Sequence, residues 1–139
     1  MSRPVAVAAL ALIFVAAASG CGKHGTNLPV SEVTAAADAH GVQVVDVEAH
    51  SFYFKPNRIV VDRDKPVDVV IHFKSWFAPH NFSCVDAEAG VSGSASTGAF
   101  SFGSTKHVKF TPTKSGEYEF FCHVDGHAKK GMKGTIVVR

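Results

Sequence analysis

The sequence predicts an all-β fold, a Greek-key β-sandwich of seven to eight short strands. The first observation is composition. From residue 21 onward the chain holds 17 Val, 3 Ile and 10 Phe but one leucine, Leu28. β-Branched and aromatic side chains fit a pleated, half-buried surface, whereas a helical domain would lean on leucine. The second is alternation of apolar and polar residues with period two, at Val42–Glu48, Ser51–Val61, Val67–Phe73, His80–Val85, His107–Phe110, Glu117–Cys122 and Thr135–Val138. The third is turn chemistry between those stretches, at Asp62–Lys65, Gly90–Gly93 and Lys114–Gly116. Short strands so spaced over roughly a hundred residues describe a sandwich. Pro56 and Pro66 are expected at strand ends or an edge, where no ladder donor is lost.

The N-terminal elements are of another kind. Arg3 precedes an apolar run from Val5 to Ala18, and Ser19, Gly20 and Cys21 close it. A basic start, a short apolar stretch and small residues at the end describe a secretory signal peptide over residues 1–20. The run is too short to span a bilayer as a helix, which takes about 20 residues. Ala18-Ser19-Gly20-Cys21 resembles the bacterial lipobox, whose cysteine is lipidated and becomes the new N-terminus. Cys21 is therefore expected to anchor an exported protein to a membrane by lipid. An ordinary signal peptide, leaving Cys21 as a spare thiol, is the alternative. Residues 21–41 read as a tether, polar and glycine-bearing from Gly22 to Pro29. It includes a short helix expected over Ser31–Ala39, with Ser31 as N-cap and alanines at 35 to 37. The folded domain is expected over residues 42–139.

Length and charge exclude several function classes. A chain of 139 residues accommodates one domain with a sizeable core, not a large multidomain enzyme. Fourteen basic against 12 acidic residues leave no clustered excess for binding nucleic acid. Three cysteines cannot build a disulfide scaffold. A monomer is expected.

The chemistry-bearing residues gather near the C-terminus, in Cys122-His-Val-Asp-Gly-His127-Ala-Lys-Lys-Gly-Met132. The strand ending at Cys122 and the last strand bracket one loop that carries His127 midway, with Gly126 and Gly131 free to take unusual backbone angles. One loop can thus aim a thiolate, an imidazole and a thioether at a single point. His80, at the head of another strand and after Pro79, is the natural fourth group. Two imidazoles, a thiolate and a weak axial Met make a blue-copper electron-transfer site. Structural zinc prefers four Cys or His ligands, so the thioether favours copper. A catalytic cysteine with His127 or His123 as base is a further reading, but Met132 has no role in it and no Asn or Asp orienter is evident.

The segments Ala78-Pro79-His80-Asn81-Phe82 and Tyr118-Glu-Phe-Phe-Cys122 through His127 to Met132-Lys-Gly-Thr-Ile136 resemble the cupredoxins. Phe52-Tyr-Phe54-Lys-Pro56 followed by Ile59-Val-Val61 resembles an early strand pair of that family. The resemblance covers roughly residues 42–139. It implies a cupredoxin-like sandwich with one copper ion cycling between Cu(I) and Cu(II). His80, Cys122 and His127 would be the strong ligands and Met132 the axial one. It also implies that the N–H of Asn81 donates to the cysteine sulfur. Val124, two residues past Cys122 and not a proline, is expected to offer a second N–H there.

Of the remaining groups, His123 is expected at the surface and Cys84 inward and inert. Trp76, Phe77 and Ala128 are candidates for an apolar rim, and Lys129, Lys130 and Lys133 for steering an acidic partner. The function expected is that of a non-enzymatic one-electron carrier in the periplasm or at the cell surface. It would dock transiently, near His127, with larger redox proteins as donor and acceptor. Copper storage or delivery without a redox circuit is the alternative, and the single methionine after Met1 speaks against it.

Overall fold

The structure, a computed structural model, describes residues 28–139. The expected signal peptide, Cys21 and the first part of the tether lie outside the described residues. No helix among the described residues is long and apolar enough to cross a membrane.

Among the described residues eleven strands form two packed sheets. The first holds β1 (Glu32–Thr34), β5 (Arg58–Val61), β11 (Lys133–Val138), β10 (Gly116–Phe121), β7 (His80–Asp86) and β8 (Val91–Thr97), side by side in that order. The second runs β2 (Ala36–Ala37), β3 (Gln43–His50), β6 (Val67–Phe73) and β9 (Thr105–Phe110), with β4 (Tyr53–Lys55) also on β3. Both sheets mix parallel and antiparallel pairs: β3 lies parallel to β6, and β5 parallel to β11. The all-β sandwich read from composition and alternation is the fold observed.

Alternation places the core as expected. Along β6 every second residue, Val67, Val69, Ile71 and Phe73, is buried. β3 contributes Val45, Val47 and Ala49 from its inner face. Between the sheets Phe54, Phe82 and Phe120 form an aromatic cluster: Phe82 stacks on Phe120 at 4.7 Å between centroids, and Phe54 meets both edge-on at 5.6 and 5.3 Å. Gly134, paired with Phe120 across the ladder, leaves the space that the Phe120 ring fills.

Two expectations are corrected. Residues 31–39 form no helix: β1 pairs parallel with β5 and β2 antiparallel with β3, so the sandwich begins ahead of residue 42. A helix of that length is marginal by itself, and two sheet edges offered the same backbone groups ready partners. The strand count also exceeds seven to eight. The stretch Ser51–Val61 divides around Pro56 and Asn57 into β4 and β5, and Gly90–Gly93, read as a turn, runs into β8. The sequence of β8, Val-Ser-Gly-Ser-Ala-Ser-Thr, hides its alternation because it is an edge strand of small residues. Small size is required there, since a Cβ on Gly93 would lie 2.8 Å from Val108 Cγ1.

The register brings the start of β7, the ends of β8 and β10 and the start of β11 to one end of the sandwich, where Thr97 faces His80 and Lys133 faces Phe121. The parallel β3–β6 pair closes at that same end, with Ala49 opposite Phe73.

Candidate metal centre

Three secondary-structure elements converge on this end. His80 opens β7, Cys122 follows the last residue of β10, and a chain of turns carries the backbone from Val124 to Met132 at the head of β11. The loop is held by its own backbone. His127 N–H donates to the Val124 carbonyl at 3.0 Å, Met132 N–H to the His127 carbonyl at 3.1 Å, and Cys122 N–H to the Met132 carbonyl at 3.0 Å. Gly126 and Gly131 take φ of 75° and 113°, the left-handed region expected of them.

The four side chains singled out in the sequence meet here. His80, Cys122 and His127 are all buried, and a nitrogen or sulfur of each lies within 4.8 Å of the others. His80 Nδ1 is 3.2 Å from Met132 Sδ, and His127 Nδ1 is 3.6 Å from Cys122 Sγ, so both imidazoles turn the same ring nitrogen toward sulfur. The two rings stand 5.0 Å apart, tilted by 46°. Among the described residues no other group of three His, Cys, Asp or Glu side chains is so arranged.

Burial tunes the donors toward metal binding. It pushes His80 down to about 4, with neighbouring His127 adding to the effect. His127 is also lowered, by burial first and Lys130 next, while Asp125 acts in the opposite sense. At neutral pH both imidazoles therefore keep a free lone pair. Two neutral imidazoles, a thiol sulfur and a thioether, excluded from water, are a donor set that fits copper and lacks the four strong ligands of structural zinc.

Around the donors, Asn81 makes three hydrogen bonds. Its backbone N–H donates to Cys122 Sγ at 3.3 Å, and its side-chain oxygen accepts from the His123 N–H. Its Nδ2 donates to the buried Ser83 hydroxyl at 2.7 Å. Of the two N–H groups expected at the sulfur, Asn81 is the one that reaches it among the described residues, while Val124 is held by other contacts. Its carbonyl starts the turn to His127, and its side chain packs on the core. Phe52, at φ 69°, was not singled out from sequence. It sets its ring edge-to-face on His127 at 5.0 Å, with Lys130 Nζ 4.3 Å above it. It belongs to the turn after β3, and only the folded register brings that turn beside the loop.

Cys84 and His123 lie where they were expected. Cys84 is buried in the core, and burial raises its thiol to about 11. His123 is exposed. His50, His72 and His107 pair with Glu48, Asp46 and Asp68 on the outer face of the second sheet. Trp76 and Phe77 are exposed rather than core, and Lys133 is paired with Glu119 at 3.7 Å.

Comparison with known proteins adds the following. The cupredoxin-like domain family matches residues 6–138. The structure of reduced auracyanin from Roseiflexus castenholzii superposes with a TM-score of 0.60 at 17% identity, covering 69% of this chain and 96% of that one. Reduced rusticyanin superposes with a TM-score of 0.59 at 22% identity, covering 84% and 90%. The metal-binding domain of the Streptococcus pneumoniae Cu(I)-exporting P-type ATPase CopA, solved with Cu(I), gives 0.58 at 22% identity, covering 80% and 98%. At such identities the likeness is one of fold. No curated protein sequence matches the chain.

Proposed function

The chain belongs to the cupredoxin-like domain family, and from that premise we propose that it is a one-electron carrier holding a single type 1 copper ion. His80, Cys122 and His127 would be the strong ligands and Met132 the axial one. The observation that carries this reading is the burial of three donors within 4.8 Å of one another, beside a thioether. Copper bound there would supply a one-electron Cu(II)/Cu(I) couple. The protein's part is to keep the donors where they are in both states. β7, β10 and β11 are laddered to one another, so the ligands they present move little and reorganisation stays small. The Asn81 N–H draws charge from the thiolate, which favours the reduced state. His127 is the ligand with the greatest exposure, 7% against 1% for His80, and would be the edge through which electrons pass. Four protein donors leave no open position for a substrate, which speaks against an enzyme.

The setting completes the proposal. Residues 1–20 would direct export to the periplasm or cell surface, Cys21 would carry the lipid, and larger redox proteins would be donor and acceptor. The likeness to a copper exporter's domain keeps one rival in view, a protein that hands copper on. Voltammetry of the copper-loaded protein separates the two. A reversible one-electron wave, with copper retained against a chelator, is expected of the carrier. An absent wave with rapid release to the chelator would favour delivery.

A further inference from the structure

His127 lies in mid-loop, five residues from Cys122 on one side and from Met132 on the other. Phe52 links that loop to the second sheet. It belongs to the two-residue turn Ser51-Phe52 between β3 and β4, whose closing pair is His50 with Tyr53. Its half-buried ring meets the His127 imidazole at 5.0 Å between centroids, with the planes 84° apart. Lys130, three residues past His127, sets its Nζ 4.3 Å from the centroid of the same ring. The Lys130 N–H in turn points at the Gly126 and His127 carbonyls, both at 3.1 Å. One turn of the ligand loop thus meets Phe52 with an imidazole and an ammonium together.

Phe52 holds this place against local preference. Its φ is 69°, and a left-handed backbone at the second residue of a turn suits glycine or asparagine, not a bulky aromatic. The surroundings impose it. The His50 ring stacks on Tyr53 at 4.6 Å across the base of the turn, and Ser51 Oγ lies 3.3 Å from Ser75 Oγ. The Lys74 N–H donates to the Ala49 carbonyl at 2.8 Å beside them. Strain of this kind persists where packing over-determines it, and it collects at functional sites. Nor does the core explain the ring, since Phe52 stands outside the buried cluster between the sheets.

We propose that Phe52 is a positioning residue: its ring, backed by Lys130, holds the His127 imidazole with Nδ1 turned to Cys122 Sγ, 3.6 Å away, before any metal arrives. The inference rests on His127 being a copper ligand, as proposed above. A side chain fixed in its binding rotamer has less freedom to lose when metal binds, and it keeps one geometry in both oxidation states. An edge-to-face aromatic pair at this separation is strong enough to shift rotamer populations about fivefold. The device is readable as a broken local rule: an aromatic ring stands where the turn asks for glycine, and the group it meets is a ligand.

Nuclear magnetic resonance of the metal-free protein at neutral pH reads the orientation of His127 directly. The parent should show one sharp set of His127 ring signals, with Overhauser contacts to the Cys122 β protons. Phe52→Gly and Phe52→Leu should broaden those signals and weaken the contacts, whereas Phe52→Tyr, which keeps the ring, should preserve them. Lys130→Gln should act in the same direction as the ring deletions, less strongly. Signals of the core, such as those of Val69 and Ile136, should stay in place in every variant, because glycine suits the turn. In the copper-loaded protein, release to a chelator should quicken about fivefold in Phe52→Gly and Phe52→Leu and keep the parent rate in Phe52→Tyr. His127 signals that stay sharp, with contacts intact, in both ring deletions would overturn the proposal. Core signals displaced together with those of His127 would also overturn it, by making Phe52 a packing residue. The resonance measurements need no copper, so a parent that forms no thiolate band defeats the copper reading and leaves this test standing.

Discussion

The backbone N–H of Asn81 lies 3.3 Å from the sulfur of Cys122, and the side chain of the same residue accepts the N–H of His123, next along the chain. Asn81 therefore fixes the cysteine from both sides, and its two contacts separate by mutation. Asn81→Ala keeps the backbone donor but strips partners from the His123 N–H and from the Ser83 hydroxyl, which is buried. Stability should fall by about 1–3 kcal/mol, the cost of leaving such groups unsatisfied. Chemical denaturation checks this, while the visible spectrum of the copper-loaded variant should stay close to that of the parent.

Met132 is fully buried against His80 and beside the core, so its role as axial ligand and its role as packing must be separated. Met132→Leu conserves volume and should cost less than about 1.5 kcal/mol. It removes the weak sulfur donor, which favours Cu(II) more than Cu(I), so the reduction potential should rise. Voltammetry and thermal unfolding on one sample report the two effects. A lowered or unchanged potential would mean that the thioether does not reach the copper.

Gly134 tests how closely the site depends on the aromatic cluster beneath it. A Cβ there would run into the Phe120 ring and the Asn57 carbonyl, which also accepts the Thr135 N–H at 2.9 Å. Gly134→Ala should destabilise by about 1–3 kcal/mol through overpacking. Phe120 stacks on Phe82, two residues from His80, so the copper spectrum should broaden as well. Wild-type stability in the variant would contradict this packing.

In the metal-free protein the pH dependence follows from His80, held at about 4 when folded against an ordinary 6.5. Between those values the unfolded chain takes up a proton that the folded one refuses. Stability therefore falls as pH drops from about 6.5 toward 4 and stops falling on this account below 4. Thermal midpoints across that range should show the slope, and His80→Gln should flatten it.

Much of this was legible in the sequence for definite reasons. The four candidate ligands were readable because three of them share one loop and the fourth opens a strand with clear alternation. β6 was readable because its inward positions Val67, Val69, Ile71 and Phe73 are all apolar, although Val70 interrupts the polar face. What stayed hidden depends on partners distant in sequence. Ser31–Ala39 carries helix-forming alanines, and only the free edges of β5 and β3 make it strand. The Ser/Gly pattern of β8 signals a turn until β7 is there to pair with it. Phe52 on His127 joins residues 75 positions apart, a contact that no local pattern encodes.

The central claim is that Cys122, His80 and His127 hold one copper ion through a thiolate. Its most direct test is to add one equivalent of Cu(II) to the protein and record visible absorption and electron paramagnetic resonance, beside Cys122→Ala. An intense thiolate-to-copper band with narrow hyperfine splitting, absent from the variant, is the predicted result. A colourless protein, or a spectrum that Cys122→Ala leaves unchanged, would contradict it.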